Sequence, residues 1–512
     1  MRRLVKSREL KCYAGSDRFM TKKRIQLILF LLGFGIFMFS RRSELFPTVG
    51  CAIIAAPIFI LRFIRTQERH ALALTLIGFL LSLNIALFGL FNLNSGFATL
   101  VMNFIRSSLL GILFFIPYML DKLIYDRIKL SSAIRTLVFP AMVTAILFLS
   151  SLEGPFDGDV AKDIYAQGPL FYQQSASLLG LWGFVFTFSW IASYVNYLWE
   201  NHFQWKTAKS ASIVLLSVLL FLSGYGIFKL HAFSTLNRDT VKIAAAVLIP
   251  PDGKTVSMMN VLNSRQTSPF VNTMNRIEAL SRKAARNSAK IVSFQEYAIV
   301  ITDDNQEKLV TQLQRISKEN DLYLNLAYGY YAKDEKGLNM NLLISPKGVT
   351  LIHYAKRYLL GFGEIGETSV FKKGPEIIQT ANTPYGVIGV STCRDMSFPS
   401  FIRQAGKKNV DLMLGPSYDF PKSVSPSYYL RAIENGFSFV RSTYNGISYA
   451  IDCSGKMLAM MDSDQSKDGL MYADIPMKGT RTFYSHWGDL LGWTSMFAAL
   501  CLVVYAFVRE RL

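Results

Sequence analysis

Residues 386–399, with the sequence GVIGVSTCRDMSFP, place Cys393 directly after a short apolar run. A run of this length and composition predicts a buried β-strand over 386–392 that ends in a turn. A cysteine at such a junction can expose its sulfur, and a nearby cation would lower the thiol pKa and favour the nucleophilic thiolate. An isolated cysteine is more often a small buried apolar side chain. Cys393 is therefore a candidate nucleophile only if partners for it lie elsewhere in the chain.

Two ionisable residues follow other predicted strands in the same way. Glu296 comes just after the apolar run 290–294, and Lys356 leaves the run 349–354 toward a Gly-rich turn. Site residues of α/β proteins commonly lie at strand ends. Taken singly, this glutamate is typical of an exposed strand end and this lysine of a solvated turn. Together with the thiol, they offer a general base, an oxyanion ligand and a nucleophile.

The region around these residues, 241–478, has the composition of a soluble domain. Its short β-rich runs alternate with helical stretches, which predicts an α/β or layered α+β domain with a large buried sheet. The predicted strands are 242–249, 290–294, 322–328, 340–345, 349–354, 386–392, 410–414, 437–442, 447–452 and 457–461. The predicted helices are near 270–288, 305–319, 399–408 and 426–435.

The whole chain of 512 residues is too apolar for one soluble globule. Hydrophobic residues make up 51% of it and charged residues 18%, against roughly 25% charged residues in an ordinary soluble domain. The apolar excess lies in long uncharged runs, and a helix of about 20 such residues crosses the hydrocarbon core. We predict a seven-helix membrane domain over 25–230 and a C-terminal membrane helix over 489–508. The seven spans are predicted near 25–40, 47–64, 71–91, 97–119, 133–152, 176–197 and 210–229.

Basic residues close to membrane helices favour the cytoplasmic side. The tail 1–24 is strongly basic, and the loops at 65–69 and 122–129 are basic as well, whereas the loop 153–175 is acidic. This pattern predicts a cytoplasmic tail and an extracytoplasmic soluble domain. The net charge of +19 is then explained by cytoplasmic flanks of membrane helices, and not by nucleic-acid binding.

Several residues stand outside this scheme. Arg41 and Arg42 fall on the outer side, against the charge rule. Arg106 lies inside the fourth predicted span, where a charge either faces the bundle interior or extends toward the interface. Cys453 lies in an apolar strand and is predicted to be a buried structural residue. The five cysteines and five histidines are scattered, which favours neither a zinc site nor a disulfide framework.

The order Glu296, Lys356 and Cys393, each at the end of a strand, resembles the nitrilase superfamily, whose Glu-Lys-Cys triad has this order and spacing. CRDMSFP resembles the Cys box of that superfamily, and YAKRYL resembles its Lys box. The resemblance covers about 241–478. It implies an α-β-β-α sandwich in which Glu296 is the general base, Lys356 stabilises the oxyanion and Cys393 is the nucleophile.

Seven predicted membrane helices before such a domain, and one after it, resemble a narrower family, the bacterial apolipoprotein N-acyltransferases. LLGFGE, which ends in Glu364 eight residues after Lys356, and the run from Arg441 to Gly446 are similar to segments of that family. The resemblance implies that Glu364 orients Lys356 or the incoming amine and that Asp395 holds the loop after the nucleophile. It implies no metal and no cofactor.

Departures from the family's motifs surround the predicted cleft. Residues 294–296 are Phe-Gln-Glu where the acyltransferases usually have Trp-Pro-Glu, and Gly361 replaces the usual Pro. Arg394 stands in place of Tyr, Asp395 in place of Glu, and the run 416–420 lacks the family's Asn-Asp-Ala-Trp. These differences bear on the acyl acceptor more than on the chemistry. The predicted substrate-binding residues are Tyr358, Phe362, Arg394, Ser417 and Asn445.

The resemblance implies acyl transfer at the bacterial inner membrane. A fatty acyl chain passes from a phospholipid, through a thioester on Cys393, to the N-terminal amine of a lipid-modified cysteine on a lipoprotein. The expected partners are a phospholipid donor, a lipoprotein or lipopeptide acceptor and the bilayer, with no nucleic acid. One alternative is a membrane-anchored amidase with the same triad and water as acceptor. Another is a transporter or scaffold with an inactive domain, against which the intact Glu296, Lys356 and Cys393 argue.

Overall fold

A computed structural model of the protein describes residues 22–511, apart from 42, 44, 88–96, 153–159, 236–238, 250–261, 263–264, 266, 334, 362–365, 419–425, 464–465 and 467–468. In the described chain an all-helical part ends at Thr235, and the first strand begins at Thr240. A part with two β-sheets follows, and one long helix, Leu490–Arg511, closes the chain.

The helical part contains a helix in each of the regions where a membrane span is predicted. The long helices are α1 (22–37), α2 (Ala52–Thr66), α3 (Ala71–Ala86), α4 (Phe97–Ile124), α5 (Ser132–Leu152), α9 (Leu181–Glu200) and α10 (Trp205–Thr235). Three four-residue helices precede α9, namely α6 (Lys162–Tyr165), α7 (Leu170–Gln173) and α8 (Ala176–Leu179).

Length and composition support fewer membrane spans than the eight predicted. Among the described residues, four helices are long and apolar enough to cross a membrane, and a bent helix pair would make a fifth. The four are Leu100–Arg127, Ser132–Leu152, Trp205–Phe233 and Leu490–Val508. α3 is apolar but has 16 residues, a length of about 24 Å against a hydrocarbon core of about 30 Å.

The sixth predicted span, 176–197, is broken in the structure. α9 begins at Leu181, and the helical segment before it meets α9 at 116°. Gly180 has a φ of +64°, and a Cβ atom on it would lie 2.4 Å from the ring of Tyr484. Glycine is needed here both for the left-handed backbone and for the close approach of Tyr484. The apolar pattern continues through the break, so periodicity alone does not reveal it.

One end of the helical part carries a buried charge cluster. Arg65, at the end of α2, donates to both carboxylate oxygens of Asp121 on α4, at 2.8 and 2.9 Å, and lies 3.3 Å from Glu200 at the end of α9. Its guanidinium lies over the ring of Tyr125, whose hydroxyl donates to Glu200 at 2.8 Å. Lys122 also donates to the backbone carbonyl of Arg65. These contacts tie the ends of three helices together.

The two-sheet part contains the following described strands: β1 (Thr240–Ala246), β2 (Ile291–Phe294), β3 (Ile299–Thr302), β4 (Tyr323–Tyr331), β5 (Leu338–Ile344), β6 (Thr350–Ala355), β7 (Thr380–Thr383), β8 (Gly386–Val390), β9 (Leu412–Leu414), β10 (Ser417–Tyr418), β11 (Ser438–Arg441), β12 (Thr443–Tyr444), β13 (Ile447–Ile451), β14 (Met457–Asp462) and β15 (Leu470–Pro476). The first sheet has the order β15-β1-β2-β4-β5-β6, with β3 paired to β4. The second has the order β14-β13-β11-β9-β8-β7, and β10 pairs with β12.

Helices cover both sheets. α11 (Phe270–Arg286) and α12 (Asp303–Glu319) share an apolar cluster with the first sheet, to which α12 contributes Leu309, Leu313 and Ile316 at helical spacing. α14 (Pro399–Lys407) and α15 (Pro426–Asn435) share a second cluster with inward-facing residues of both sheets. A single helical turn, α13 (Glu367–Val370), lies between β6 and β7. The predicted α-β-β-α sandwich is confirmed.

The predicted elements of the sandwich are present, with ends shifted by at most three residues. The strands that the sequence analysis misses are β3, β7, β10, β12 and β15. Four of these have two to four residues, which is too short for a periodic pattern. β15 is longer but carries Ala473 and Asp474, and its state comes from antiparallel pairing with the distant β1.

Glu434 on α15 joins the sandwich to the helical part. Its Oε1 accepts a hydrogen bond from the backbone N–H of Leu181 at 2.8 Å. Leu181 is the first residue of α9, so the carboxylate satisfies one of the open N–H groups at the helix start and meets the positive end of the helix dipole. The other oxygen accepts from Arg431, and neither side chain is more than 1% exposed.

Further hydrogen bonds cross the same junction. Gln174 donates to the carbonyl of Ser454 at 2.8 Å. The indole N–H of Trp182 and the hydroxyl of Tyr484 both donate to Asp489, each at 2.8 Å. Tyr484 lies in the short helix α16 (Phe483–Trp487), and Asp489 precedes the C-terminal helix α17 (Leu490–Arg511). The sandwich is thus docked on one end of the helical part by buried and half-buried polar contacts.

We expect Glu434→Ala to lower the free energy of unfolding by about 3–5 kcal/mol, because it removes one partner of a buried ion pair. Glu319→Ala is the matched control, since Glu319 pairs with Arg315 on an exposed face of α12 and its loss should cost less than about 1 kcal/mol. Thermal unfolding of the purified protein in detergent, followed by intrinsic fluorescence, measures both. Equal shifts for the two variants would contradict the docking role of Glu434.

Candidate active site

Two consecutive residues bring Glu296 and Cys393 together. The N–H of Cys393 donates to the carbonyl of Pro416 at 2.8 Å, and the N–H of Glu296 donates to the carbonyl of Ser417 at 3.3 Å. Glu296 follows β2 of the first sheet, whereas Cys393 follows β8 of the second. The segment 416–417 therefore holds the backbones of the two residues close together across the sandwich.

Lys356, directly after β6, lies between two carboxylates. Its Nζ is 2.8 Å from Glu296 Oε1, 2.8 Å from Glu367 Oε2 and 3.0 Å from Glu367 Oε1. Asn339 of β5 donates to Glu296 at 2.7 Å and to Glu367 at 2.8 Å. The side chains of the lysine and of both glutamates are fully buried. One cation is thus shared by two anions.

Burial and mutual charge set the ionisation of this cluster. Burial raises the pKa of Glu296 to about 7; the charge of Glu367 adds to the shift, and Lys356 opposes it. Burial also acts to raise the pKa of Glu367, but Lys356 and the hydrogen bonds from Leu360 and Tyr297 outweigh it, so this pKa lies below its ordinary value. Burial acts to lower the pKa of Lys356, yet the two carboxylates raise it well above its ordinary value. Glu296 is therefore the member that titrates near neutral pH.

One carboxylate oxygen of Glu296 has no hydrogen-bond partner among the described residues. Oε1 accepts from Lys356 and Asn339, whereas the buried Oε2 accepts from no group in the part of the chain that the structure describes. A buried acceptor that is left unsatisfied costs about 1–3 kcal/mol. Such atoms in a native protein require an explanation. An open oxygen on a carboxyl group with a pKa of about 7 is suited to take up a proton.

Cys393 is half-buried and has a φ of +45°. A residue with a side chain costs about 1–3 kcal/mol in such a conformation and keeps it only when the surroundings enforce it. Asp395 supplies that constraint, because its carboxylate accepts from the N–H of Thr392 at 3.0 Å, the hydroxyl of Tyr354 at 2.6 Å and the N–H of Tyr358 at 2.8 Å. Burial nevertheless raises the pKa of Asp395 to about 6. The turn that carries the sulfur is thus held rigidly.

A chain of buried polar side chains runs through the core to this turn. The hydroxyl of Ser293 donates to Asn325 at 2.9 Å, Asn325 donates to Asn341 at 2.5 Å, and Asn341 donates to the hydroxyl of Thr392 at 3.3 Å. All four side chains are buried. A paired polar chain of this kind favours one alignment of the strands over its alternatives, because a shift would leave buried groups without partners.

An aromatic cluster borders the ionised cluster. Tyr297 has a φ of +55°; its hydroxyl donates to Glu367 and accepts from Asn339 at 2.9 Å. Its ring is 6.1 Å from that of Phe371 and 6.2 Å from that of Tyr418, measured between centroids. These rings pack beside the buried carboxylates, and burial is the main cause of the raised pKa of Glu296.

The predicted substrate residues near the nucleophile turn pack against the turn itself. Tyr358 stacks on Phe398 with ring centroids 3.5 Å apart, and its N–H is held by Asp395. Arg394 donates to the carbonyl of Leu359 and lies 5.7 Å from the ring of Phe398. These contacts give both residues a role in holding the turn, and substrate contact by either stays a prediction.

Ser417 is 1% exposed, and its hydroxyl accepts from Arg441 at 3.1 Å. It belongs to the segment that holds Glu296, and substrate contact by it stays a prediction. Asn445 is half-buried, with a φ of +55°, in the turn before β13. Phe362 and Glu364 lie outside the described residues.

The sequence analysis misses Glu367, Asn339 and Tyr297. The sequence does indicate Asn339, because Asn339 and Asn341 alternate in the apolar strand LNMNLLI and therefore share a buried face. Glu367 left none. Gly366, with a φ of +75°, turns the chain back so that the N–H of Glu367 meets the carbonyl of Leu360 at 2.7 Å. The described carboxylate beside Lys356 is thus Glu367, whereas the resemblance points to Glu364.

Comparison with known proteins identifies the domain. Residues 259–484, which include all three predicted catalytic residues, match the carbon-nitrogen hydrolase family. The chain is 28% identical to an apolipoprotein N-acyltransferase of Bdellovibrio bacteriovorus over 35% of this chain and 38% of that protein. It is 25% identical to a deaminated glutathione amidase of Dictyostelium discoideum over 34% of this chain and 67% of that protein. A solved amidase structure from Nesterenkonia sp. matches 48% of this chain and 93% of its own, with 16% identity and a TM-score of 0.38.

The family match and the named relatives support the predicted superfamily, and those relatives include the narrower family. Further relatives carry the name apolipoprotein N-acyltransferase or deaminated glutathione amidase. The chain spans less than four-tenths of the length of the Bdellovibrio acyltransferase. An acyltransferase and an amidase therefore both remain candidates for the activity.

The rate of alkylation of Cys393 by iodoacetamide should rise with pH through about 7, because the ionised Glu296 takes the thiol proton. Glu296→Gln should move this rise to about 8.5, the ordinary pKa of a thiol. Peptide-resolved mass spectrometry separates Cys393 from the other cysteines. Glu376→Gln is the control, since Glu376 forms an exposed pair with Arg357. An unchanged profile in Glu296→Gln would contradict the base role.

Glu367→Gln should shift the same profile to lower pH. The charge of Glu367 raises the pKa of Glu296; when it is removed, Lys356 pairs with Glu296 alone and the pKa of Glu296 falls, by about one unit or more. The pH dependence of Cys393 alkylation in this variant measures the shift. A shift toward higher pH would contradict the shared-lysine arrangement.

Proposed function

We propose that this chain, a relative of the apolipoprotein N-acyltransferases with a carbon-nitrogen hydrolase domain over residues 259–484, moves a fatty acyl chain from a membrane phospholipid to an amine. The acyl group passes through a thioester on Cys393. The acceptor is the N-terminal amine of a lipid-modified cysteine on a lipoprotein. The reaction needs two half-reactions at one site, with no cofactor.

The first half-reaction forms the thioester. The open Oε2 of Glu296 takes the proton of the Cys393 thiol, and the thiolate attacks the ester carbonyl of the phospholipid. Lys356, which the two carboxylates keep charged, faces the negative charge that develops on the carbonyl oxygen. The ester C–O bond then breaks, Glu296 returns its proton to the leaving oxygen, and a lyso-lipid departs.

The second half-reaction uses the same groups in reverse. The amine attacks the thioester carbonyl while Glu296 accepts one of its protons. The C–S bond breaks, the amide is formed, and the proton returns to the sulfur of Cys393. A carboxyl group that exchanges a proton twice per cycle works best with a pKa near the ambient pH, which the value of about 7 for Glu296 supports.

The observation that carries transfer over hydrolysis is the docking of the sandwich on apolar helices. Glu434 on α15 accepts from the start of α9 at 2.8 Å, and the hydroxyl of Tyr428 on α15 lies 3.4 Å from the carbonyl oxygen of Cys393. The nucleophile is therefore one helix away from the membrane part. Both substrates carry acyl chains, whose extraction into water would cost about 0.8 kcal/mol per CH₂. A site at the bilayer surface avoids that cost.

The arrangement of the helices supports an extracytoplasmic site. α9 meets the sandwich at Leu181 and meets the Arg65–Asp121 cluster at Glu200. Its 20 residues extend about 30 Å, the thickness of a hydrocarbon core. The basic loops at 65–69 and 122–129 thus lie at the end opposite the sandwich. By the positive-inside rule these loops are cytoplasmic, so we infer a multi-pass inner-membrane protein with its sandwich outside.

The second candidate is a membrane-anchored amidase with water as acceptor. The match to the Dictyostelium amidase, which extends over 67% of that protein, favours it. The same Glu296, Lys356 and Cys393 would serve, with water in place of the amine. The helical part would then be only an anchor, for which α2 to α10 are more extensive than is needed.

Incubation of the purified protein with phospholipid should add the mass of one acyl chain at Cys393. Hydroxylamine should remove the adduct, because a thioester is labile to it, and a diacylated lipopeptide should discharge it with formation of a triacylated product. Cys393→Ala should abolish the adduct. Cys453→Ala is the control, since Cys453 is a buried residue, as predicted.

The same experiment separates the candidates. Release of ammonia from simple amides with no acyl adduct would favour the amidase and contradict the proposed acyl transfer. An adduct that persists in Cys393→Ala would remove the catalytic assignment for both.

A further inference from the structure

A basic pocket lies on the sandwich beside the C-terminal helix. Its volume is about 610 Å³, a size typical of small-ligand sites. The lining residues are Gly406, Lys407, Asn409, Arg481, Thr482, Ser485 and His486. The lining contains one lysine, one arginine and one histidine, and no acidic residue. The pocket is open on one side and uses none of the groups in the proposed reaction.

Nearby carboxylates are engaged elsewhere. Asp411 accepts from the N–H groups of Val387 at 2.8 Å and Gly479 at 2.9 Å. Glu434 is held by Leu181 and Arg431. The side chains of Lys407 and Arg481 are exposed, and both residues line the pocket. A guanidinium offers a planar pair of donors that fits a phosphate, and an ammonium adds a point charge.

The walls of the pocket are held in place from two sides. Arg403 on α14 donates to the carbonyls of Ser485 at 3.2 Å and His486 at 2.9 Å. The hydroxyl of Thr482 accepts from the N–H of Ser485 at 3.0 Å. Gly406 allows the two elements to touch, because a Cβ atom there would lie 2.6 Å from that of Ser485. The backbone that forms the pocket is therefore held in place by contacts within the sandwich.

The pocket lies at the level where a bilayer surface is expected. α17 begins at Leu490, and its segment Leu490–Val508 is long and apolar enough to span a membrane. Just before it, Phe483 and Trp487 stack with ring centroids 5.9 Å apart, and Trp487 is 58% exposed. Exposed aromatic rings at the end of a membrane helix are typical of the interface, where lipid headgroups lie.

We propose that this pocket binds the headgroup of an anionic phospholipid, with Arg481 and Lys407 on its phosphate. A soluble phosphate ester shares the same chemistry, but the adjacent Phe483 and Trp487 and the span of α17 favour a lipid whose chains remain in the bilayer.

The site is separate from the nucleophile. α14 runs from Pro399 near the Cys393 turn to Lys407 at the pocket, a distance of about 13 Å along the helix. The bound lipid anchors the sandwich and is not the acyl donor. The inference needs the membrane location but not acyl transfer.

Native mass spectrometry of the full chain, delipidated in detergent, tests this. Phosphatidylglycerol, phosphatidylcholine and glycerol 3-phosphate are added in turn, and bound molecules are counted. We expect one phosphatidylglycerol that is retained in Cys393→Ala. Lys407→Gln and Arg481→Gln should each weaken its binding about fivefold, and the double variant about thirtyfold, from the typical contribution of a basic residue near an anionic surface.

Lys308→Gln/Lys318→Gln is the matched control, because it removes two exposed cations from α12 on the other side of the sandwich. This variant should bind phosphatidylglycerol as the unmodified protein does. Equal loss in the control would show attraction to the total charge and would overturn the site. Phosphatidylcholine binding as tight as that of phosphatidylglycerol would overturn the role of the two cations. Glycerol 3-phosphate binding as tight as that of phosphatidylglycerol would show that the pocket does not select a lipid. Unfolding temperatures of all variants verify that each remains folded.

Discussion

The site depends on one buried lysine shared by two glutamates. Lys356 alone would lose its charge on burial, and Glu296 and Glu367 alone would both protonate. Together the two glutamates keep Lys356 charged, and the cluster carries one net negative charge when both are ionised. Glu296 is the carboxyl group that titrates near pH 7. The geometry and the ionisation therefore have a single cause. It also explains why Asn339 is buried between the two carboxylates: it supplies donors that the lysine cannot.

The sandwich brings this cluster, from the first sheet, close to Cys393, which follows a strand of the second. Segment 416–417 accepts from the backbones of both Glu296 and Cys393. The hydroxyl of Ser442 donates across to the carbonyl of Ser293 at 2.7 Å, and the Asn325–Asn341 pair continues to Thr392. Because these groups are buried, a slip of one sheet against the other would leave several of them without partners. The apolar core gives the stability, and the polar links select the register.

The helical part and the sandwich are similarly joined through polar groups that are buried or half-buried. Glu434 on α15 accepts from the N–H of Leu181, the first residue of α9, and Asp489 accepts from the indole N–H of Trp182 in the same helix. Such links are specific in direction, whereas apolar contacts alone would permit sliding. They hold the sandwich, which carries both Cys393 and the basic pocket, at one end of the helices. A lipid anchored at one place and a lipid processed at another would then share a common plane.

Local patterns in the sequence determined the apolar helices, most strands of the sandwich, and the candidates Glu296, Lys356 and Cys393, because each depends on a few adjacent residues. Asn339 was also readable from its alternation with Asn341 in an apolar strand. Only the tertiary structure decided that Glu367 lies beside Lys356, that Ser417 belongs to the segment that holds Glu296, that β15 pairs with β1, and that the helix breaks at Gly180. Most of these features depend on contacts between residues far apart in the chain. Glu367 is close to Lys356 in sequence, but it reaches the lysine only because the chain reverses at Gly366. A periodic pattern carries no information about which distant group will fill the space beside it.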